Sequence, residues 1–151
     1  MSLRRLPVEV CVHPKTVDLF DEVERDYPEI KRQLLADFRQ YVESGFERRP
    51  KRFGKVDLYT RPASILSAQL MHIHICMPPP NDFPAHLPVA RMTCRRKEPH
   101  RDASLVYVRG ECEDHRYCIL GLLYPYAHER AQNNGLMLRL AALAREFRDN
   151  N

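Results

Sequence analysis

The sequence predicts a small α+β domain, with a mostly antiparallel sheet packed on N-terminal helices and a C-terminal helix. Three observations carry that prediction. Apolar residues alternate along residues 7–13 and 71–77, the period of a half-buried strand, and residues 105–109 and 116–123 are short apolar stretches of strand length. Apolar residues recur at helical spacing near residues 17–23, 30–42 and 136–147. The resulting order is strand, helices, three strands, helix, with no internal repeat and no linker, so all 151 residues are read as one domain.

The first strand carries Val8, Val10 and Val12 against Glu9, Cys11 and His13, with Pro7 at its start. Thr16 is placed to cap a helix whose apolar side is Val17, Phe20 and Val23, and whose other side holds Asp18, Glu22 and Glu24. Pro28 suits the first turn of a second helix. Ile30, Leu34, Phe38, Tyr41 and Val42 form its apolar stripe, and Gly45 its stop. Phe46 to Pro62 reads as a basic loop with turn residues at Pro50 and Gly54.

The next strand runs through Met71-His-Ile-His-Ile-Cys-Met77 into three prolines. Alternation puts His72, His74 and Cys76 on one face and Met71, Ile73, Ile75 and Met77 on the other. Residues 78–99 form a long proline-rich loop, and loops of that length in compact domains are usually functional. Leu105–Arg109 and Arg116–Leu123 are strands joined by a hairpin loop, the second interior to the sheet because it is apolar on both faces. Tyr126–Gln132 reads as a helical turn. Asn133 and Asn134 offer a cap for a final helix with Leu136, Met137, Leu140, Leu143, Ala144 and Phe147 inward and Arg139, Arg145 and Arg148 outside that stripe.

Composition narrows the function. The chain is 44% hydrophobic and 29% charged, as expected of a soluble globular domain, with no apolar run of membrane-spanning length and no signal-peptide apolar region near its start. Five scattered cysteines without a CxxC pair point to reduced thiols, and the expected location is the cytoplasm. The net charge of +4 is segregated. Basic runs lie at Arg48, Arg49, Lys51, Arg52 and Lys55 and at Arg91, Arg95, Arg96, Lys97 and Arg101, while acids concentrate between Asp18 and Glu29. Such segregation favours a polyanionic partner, and two solvated basic loops are the plain alternative.

Three chemistries compete for the histidine strand. His72, His74 and Cys76, or Cys112, His115 and Cys118, resemble sparse metal ligand sets, yet neither has the paired spacing of a structural zinc site. Cys76 has no nucleophile motif around it, and with five glycines and no phosphate loop a nucleotide cofactor is not expected. Metal-free RNA cleavage needs a base at the 2′-hydroxyl, an acid at the leaving 5′-oxygen and cations at the phosphate. His72, His74 and His128 suit the first two roles and the loop arginines the third, while Tyr107 could stack or donate a proton.

Several segments in fixed order carry a resemblance. They are Leu35–Phe38, Phe53-Gly54, Leu58-Tyr59, His72–His74, Asp82-Phe83-Pro84 with Leu87, Leu105–Tyr107, Gly110, Pro125, His128, Ala131, Asn134, Met137 and Phe147-Arg148. Over about residues 34–148 the chain resembles the YafO family of type II toxin–antitoxin toxins, distant relatives of RelE-like toxins. The resemblance implies a ribosome-dependent endoribonuclease that cleaves translated mRNA and is silenced by a cognate antitoxin protein, and on the chemistry of the residues no cofactor is expected. On the chemistry of the residues, the expected catalytic groups are His72, His74 and His128, with Arg96 or Arg101 at the transition state and Tyr107 beside them. Arg95, Lys97, Arg101, Arg52 and Lys55 are the expected RNA contacts. Neither a membrane nor DNA bound by the toxin alone is expected. The alternative function is an RNA- or ribosome-binding protein that does not cleave.

Overall fold

A computed structural model describes residues 6–93 and 98–151. Its centre is a five-stranded sheet in the order β1-β5-β4-β3-β2. The strands are β1 (Glu9–Val12), β2 (Phe53–Leu58), β3 (Met71–Ile75), β4 (Ala103–Arg109) and β5 (Arg116–Leu123). β1 pairs parallel with β5, and every other pairing is antiparallel. The helices are α1 (Asp18–Glu24), α2 (Ile30–Glu43), the short α3 (Ala127–Arg130) and α4 (Asn134–Asn150). The α+β architecture therefore agrees with the sequence reading.

Both faces of the sheet are covered, by different helices. α1 and α2 pack Phe20, Val23, Leu34 and Phe38 on one face, against Ile73, Leu105, Tyr107 and Ile119. α4 lays Met137, Leu140, Ala141 and Ala144 on the other, against Val106, Val108, Cys118 and Leu120, with a 3-10 segment at Ala63–Ala68 contributing Ile65 and Ala68. The stripe foreseen on α4 is thus the buried one, and Asn133 caps it by accepting from the Leu136 amide at 3.0 Å. The three arginines outside the stripe donate to backbone carbonyls of Lys15, Ser64 and Arg109. They are straps rather than free cations.

α2 ends as its sequence foretells. The Phe46 amide donates to the Tyr41 carbonyl and the Gly45 amide to that of Val42, both at 3.0 Å, with Gly45 at φ 69°. This paired C-terminal closure needs a left-handed residue, which glycine supplies without steric cost.

Three local expectations need correction. Thr16 does not cap a helix. It is buried at the end of a 3-10 turn (Pro14–Thr16), its hydroxyl donating to the His13 carbonyl at 3.4 Å, and α1 starts at Asp18 without a side-chain cap. Pro28 lies just before α2 rather than in its first turn, because Glu29 takes a left-handed conformation ahead of Ile30. The largest change is in 46–62, expected as loop throughout, where Phe53–Leu58 forms edge strand β2 against β3. Basic residues and Gly54 hid the strand pattern. Gly54 has its own reason: a Cβ there would lie 2.0 Å from the Met92 carbonyl oxygen, to which the Lys55 amide donates. Strand and following loop therefore meet backbone to backbone.

Candidate active site

α4 covers only part of its sheet face. Beyond it, β2 and β3 leave an open cleft of about 1000 Å³, closed on the far side by residues 99–104 and 126–132. His72 and His74 reach the cleft because their alternate positions on β3 share the face of Ser104 and Val106 on β4. His128 comes from α3 on the opposite side.

Four rings line up along this wall. Tyr59 stacks on His72 with centroids 4.0 Å apart and planes at 19°. His72 meets His74 edge-on at 5.2 Å, and His74 lies nearly parallel to His128 at 5.3 Å and 25°. The row ends at Asp102, only 3% exposed. Its Oδ2 accepts from the His128 backbone amide at 2.8 Å and faces His128 Nδ1 at 2.5 Å. An ionised carboxylate only accepts, so it selects the tautomer with the proton on Nδ1 and leaves Nε2 as the unprotonated nitrogen. The His128 side chain is 61% exposed, so a buried anion orients an imidazole open to solvent.

His72 and His74 lie in a different environment. Burial, followed by the neighbouring imidazoles, pushes each of them down to about 4. Asp57 opposes the shift at His72 and Asp102 opposes it at His74, without overcoming burial. Both rings are therefore neutral near pH 7. The Nδ1 atoms of both are buried without a hydrogen-bond partner. A neutral ring must carry one proton, and a partnerless lone pair is cheaper to bury than a partnerless N–H. That argues for the proton on Nε2 in both.

The remaining sequence-derived residues divide. Lys55 lines the cleft beside His72, paired with Asp57 at 3.1 Å. Arg52 lies outside the cleft against α2, bonded to Gln33 and 4.0 Å from Asp37. Arg101 donates to the Met77 carbonyl at 2.8 Å and faces Glu98 at 3.8 Å, which straps the segment before β4 to the end of β3 and keeps its charge out of the cleft. Arg95, Arg96 and Lys97 lie outside the described residues. Tyr107 is not brought to the histidines. It occupies the opposite sheet face, 4% exposed and packed against Phe38 and Tyr117 at 5.0 and 6.3 Å, and burial raises its hydroxyl pKa well above the ordinary value.

Sequence reasoning passed over Arg61, an exposed cation lining the cleft, and did not assign Tyr59 or Ser104 to the site. Tyr59 stood within a family-like segment, the available signal, whereas the Arg61-Pro62 pair offered none. Among the described residues no group of three or more His, Cys, Asp and Glu is arranged to hold a metal ion. Cys118 is buried on β5 beside Cys11, and Cys112 is exposed, so the second sparse cluster does not assemble at one place. Among the described residues, no helix is long and apolar enough to cross a membrane.

A small basic α+β protein with clustered imidazoles and an Asp-backed histidine on a sheet-face cleft belongs to the class of domains equipped for acid–base chemistry. Comparison with known proteins gives the family. Residues 39–149 match the family described as Toxin YafO, type II toxin-antitoxin system. The chain is also 31% identical, over 119 residues, to the mRNA interferase toxin YafO of Escherichia coli (strain K12), covering 76% of this chain and 83% of that protein. The chain belongs to the YafO toxin family of type II toxin–antitoxin systems. No solved structure matches it.

Proposed function

We propose that this toxin is a metal-independent endoribonuclease that cleaves translated mRNA on the ribosome and is held silent by a cognate antitoxin. Family membership and the name of the relative, an mRNA interferase, support the activity class. The observation that carries the chemistry is the pairing of two adjacent imidazoles in unlike surroundings. His128 is exposed and oriented by Asp102, whereas His74 is buried, 5.3 Å away.

In this reading His128 Nε2 takes the proton of the 2′-hydroxyl. The 2′-oxygen attacks phosphorus, the bond from phosphorus to the 5′-oxygen breaks, and the leaving oxygen takes a proton from His74. Neutral at rest, His74 takes up a proton from solvent as the anionic phosphate docks beside it and raises its proton affinity, so it enters the step as imidazolium and leaves it as neutral imidazole. His72 contributes an Nε2–H to the phosphate, and Tyr59 holds its ring by stacking. Lys55 and Arg61 supply the positive charge that the trigonal-bipyramidal transition state requires. The products are a 2′,3′-cyclic phosphate and a 5′-hydroxyl.

The test is to map 5′ ends of mRNA after brief induction, with and without a block on translation initiation. New 5′-hydroxyl ends on translated messages alone are expected from the wild type and none from the His74→Ala, His128→Ala double variant. Full cleavage by that variant overturns the assignment. Growth arrest without new ends instead marks a toxin that binds RNA or ribosomes without cutting.

A further inference from the structure

Tyr126 stands at the mouth of the cleft, 42% exposed, two residues before His128. Its backbone is left-handed, at φ 55° and ψ 47°. Bulky residues seldom adopt that region, because Cβ crowds the following carbonyl. The conformation itself is needed. The Tyr126 amide donates to the Pro99 carbonyl at 3.1 Å, its carbonyl accepts from the Arg130 amide at 2.8 Å, and the turn buries Ala127 and brings His128 onto Asp102. Glycine would meet that backbone requirement without strain. The tyrosine side chain meets it with strain. Among the described residues its ring packs on no other ring and its hydroxyl makes no hydrogen bond, although every other ring of the cleft wall is stacked.

An exposed aromatic ring, carried to a cleft mouth by a hydrogen-bonded turn next to an oriented histidine, has the form of a platform for a flat ligand. Nucleotide bases stack on such rings irrespective of sequence, because every base has a π-face. Resting on the ribonuclease reading above, we propose that Tyr126 is a substrate-positioning residue that stacks a base adjoining the cleaved bond. The stacked base holds the 2′-hydroxyl against His128 while Lys55 and Arg61 hold the phosphate from the β2 side.

The proposal is tested with Tyr126→Phe, Tyr126→Ala and Tyr126→Gly on ribosomes programmed with mRNA. The target codon carries 2-aminopurine beside a 2′-deoxy linkage that cannot be cleaved. Wild type and Tyr126→Phe are expected to quench the probe. Tyr126→Ala and Tyr126→Gly are expected to lose the quench and about tenfold to a hundredfold in kcat/KM on cleavable message. The pH profile of the residual cleavage should be unchanged, since His128 keeps its partner, and Tyr126→Gly should melt no lower than wild type. Equal quench and cleavage by Tyr126→Ala overturn the stacking role alone, as does a Tyr126→Phe as defective as Tyr126→Ala, or a Tyr126→Gly that melts lower. A wild type that neither quenches nor cleaves overturns both this role and the ribonuclease reading.

Discussion

Acidifying the protein from about pH 7 to about pH 5 removes stability stored at His74. The imidazole binds protons near pH 6.5 in the unfolded chain and only near 4 in the folded one, chiefly because it is buried, at 4% exposure. A depressed folded value means a contribution fully present above the unfolded pKa and lost as pH falls towards the folded one. Between those two values the unfolded chain holds nearly one more proton, so the slope is about 1.4 kcal/mol per pH unit. Integrated over the two-unit step, the loss is about 2 kcal/mol from His74 alone. His72, shifted in the same direction to about 4 and partly buried, adds a smaller amount of the same sign. Urea denaturation at both pH values measures it, with a His72→Phe, His74→Phe double variant as reference. The wild type is expected to lose at least about 2 kcal/mol more than that variant. Parallel losses would refute the buried, neutral state of the pair, and with it the argument for their tautomers.

Other substitutions separate the site from its scaffold. Asp102→Asn keeps the shape but offers an amide to His128 Nδ1, which destabilises the required tautomer, and cleavage rates should fall by about 100-fold or more with the melting temperature little changed. Tyr107→Phe should leave cleavage intact, because the ring belongs to the opposite face, whereas Phe38→Ala, fully buried against Tyr107, should cost about 3–5 kcal/mol in denaturant titration. Gly54→Ala drives a Cβ into the Met92 carbonyl oxygen, so loss of thermal stability is expected. Toxin stripped with a chelator and then freed of it should cleave as well as untreated toxin if the chemistry needs no metal.

The sequence was most legible where local pattern and tertiary environment agree. Leu140 and Ala144 lie inward on α4 as their spacing requires, and β5 occupies the interior position that its apolar faces demand. Pattern failed where long-range pairing decides. β2 exists because β3 and the Met92 carbonyl satisfy its backbone, and neither partner is visible within 46–62. Asp102 and His128 are 26 positions apart, and the left-handed turn at Tyr126 that joins them has none of the glycine or asparagine that marks such turns.

The misplacement of Tyr107 shows where the limit lies. Alternation along β4 groups Ser104 with Val106 and Leu105 with Tyr107, but it cannot say which group faces the histidines. That is decided by register, His74 opposite Ser104 and His72 opposite Val106. Shifting the side chains of β4 by one position relative to that register would turn Tyr107 towards the cleft and bury Ser104 and Val106 against α2. Packing forbids the shift, because Tyr107 fills the space between Phe38 and Tyr117 while Val106 and Val108 meet α4. The core on one face thus determines which side chains the other face can offer to chemistry. The histidines are catalytic candidates because Ile73 and Ile75, between and beyond them on β3, are committed to the α2 side.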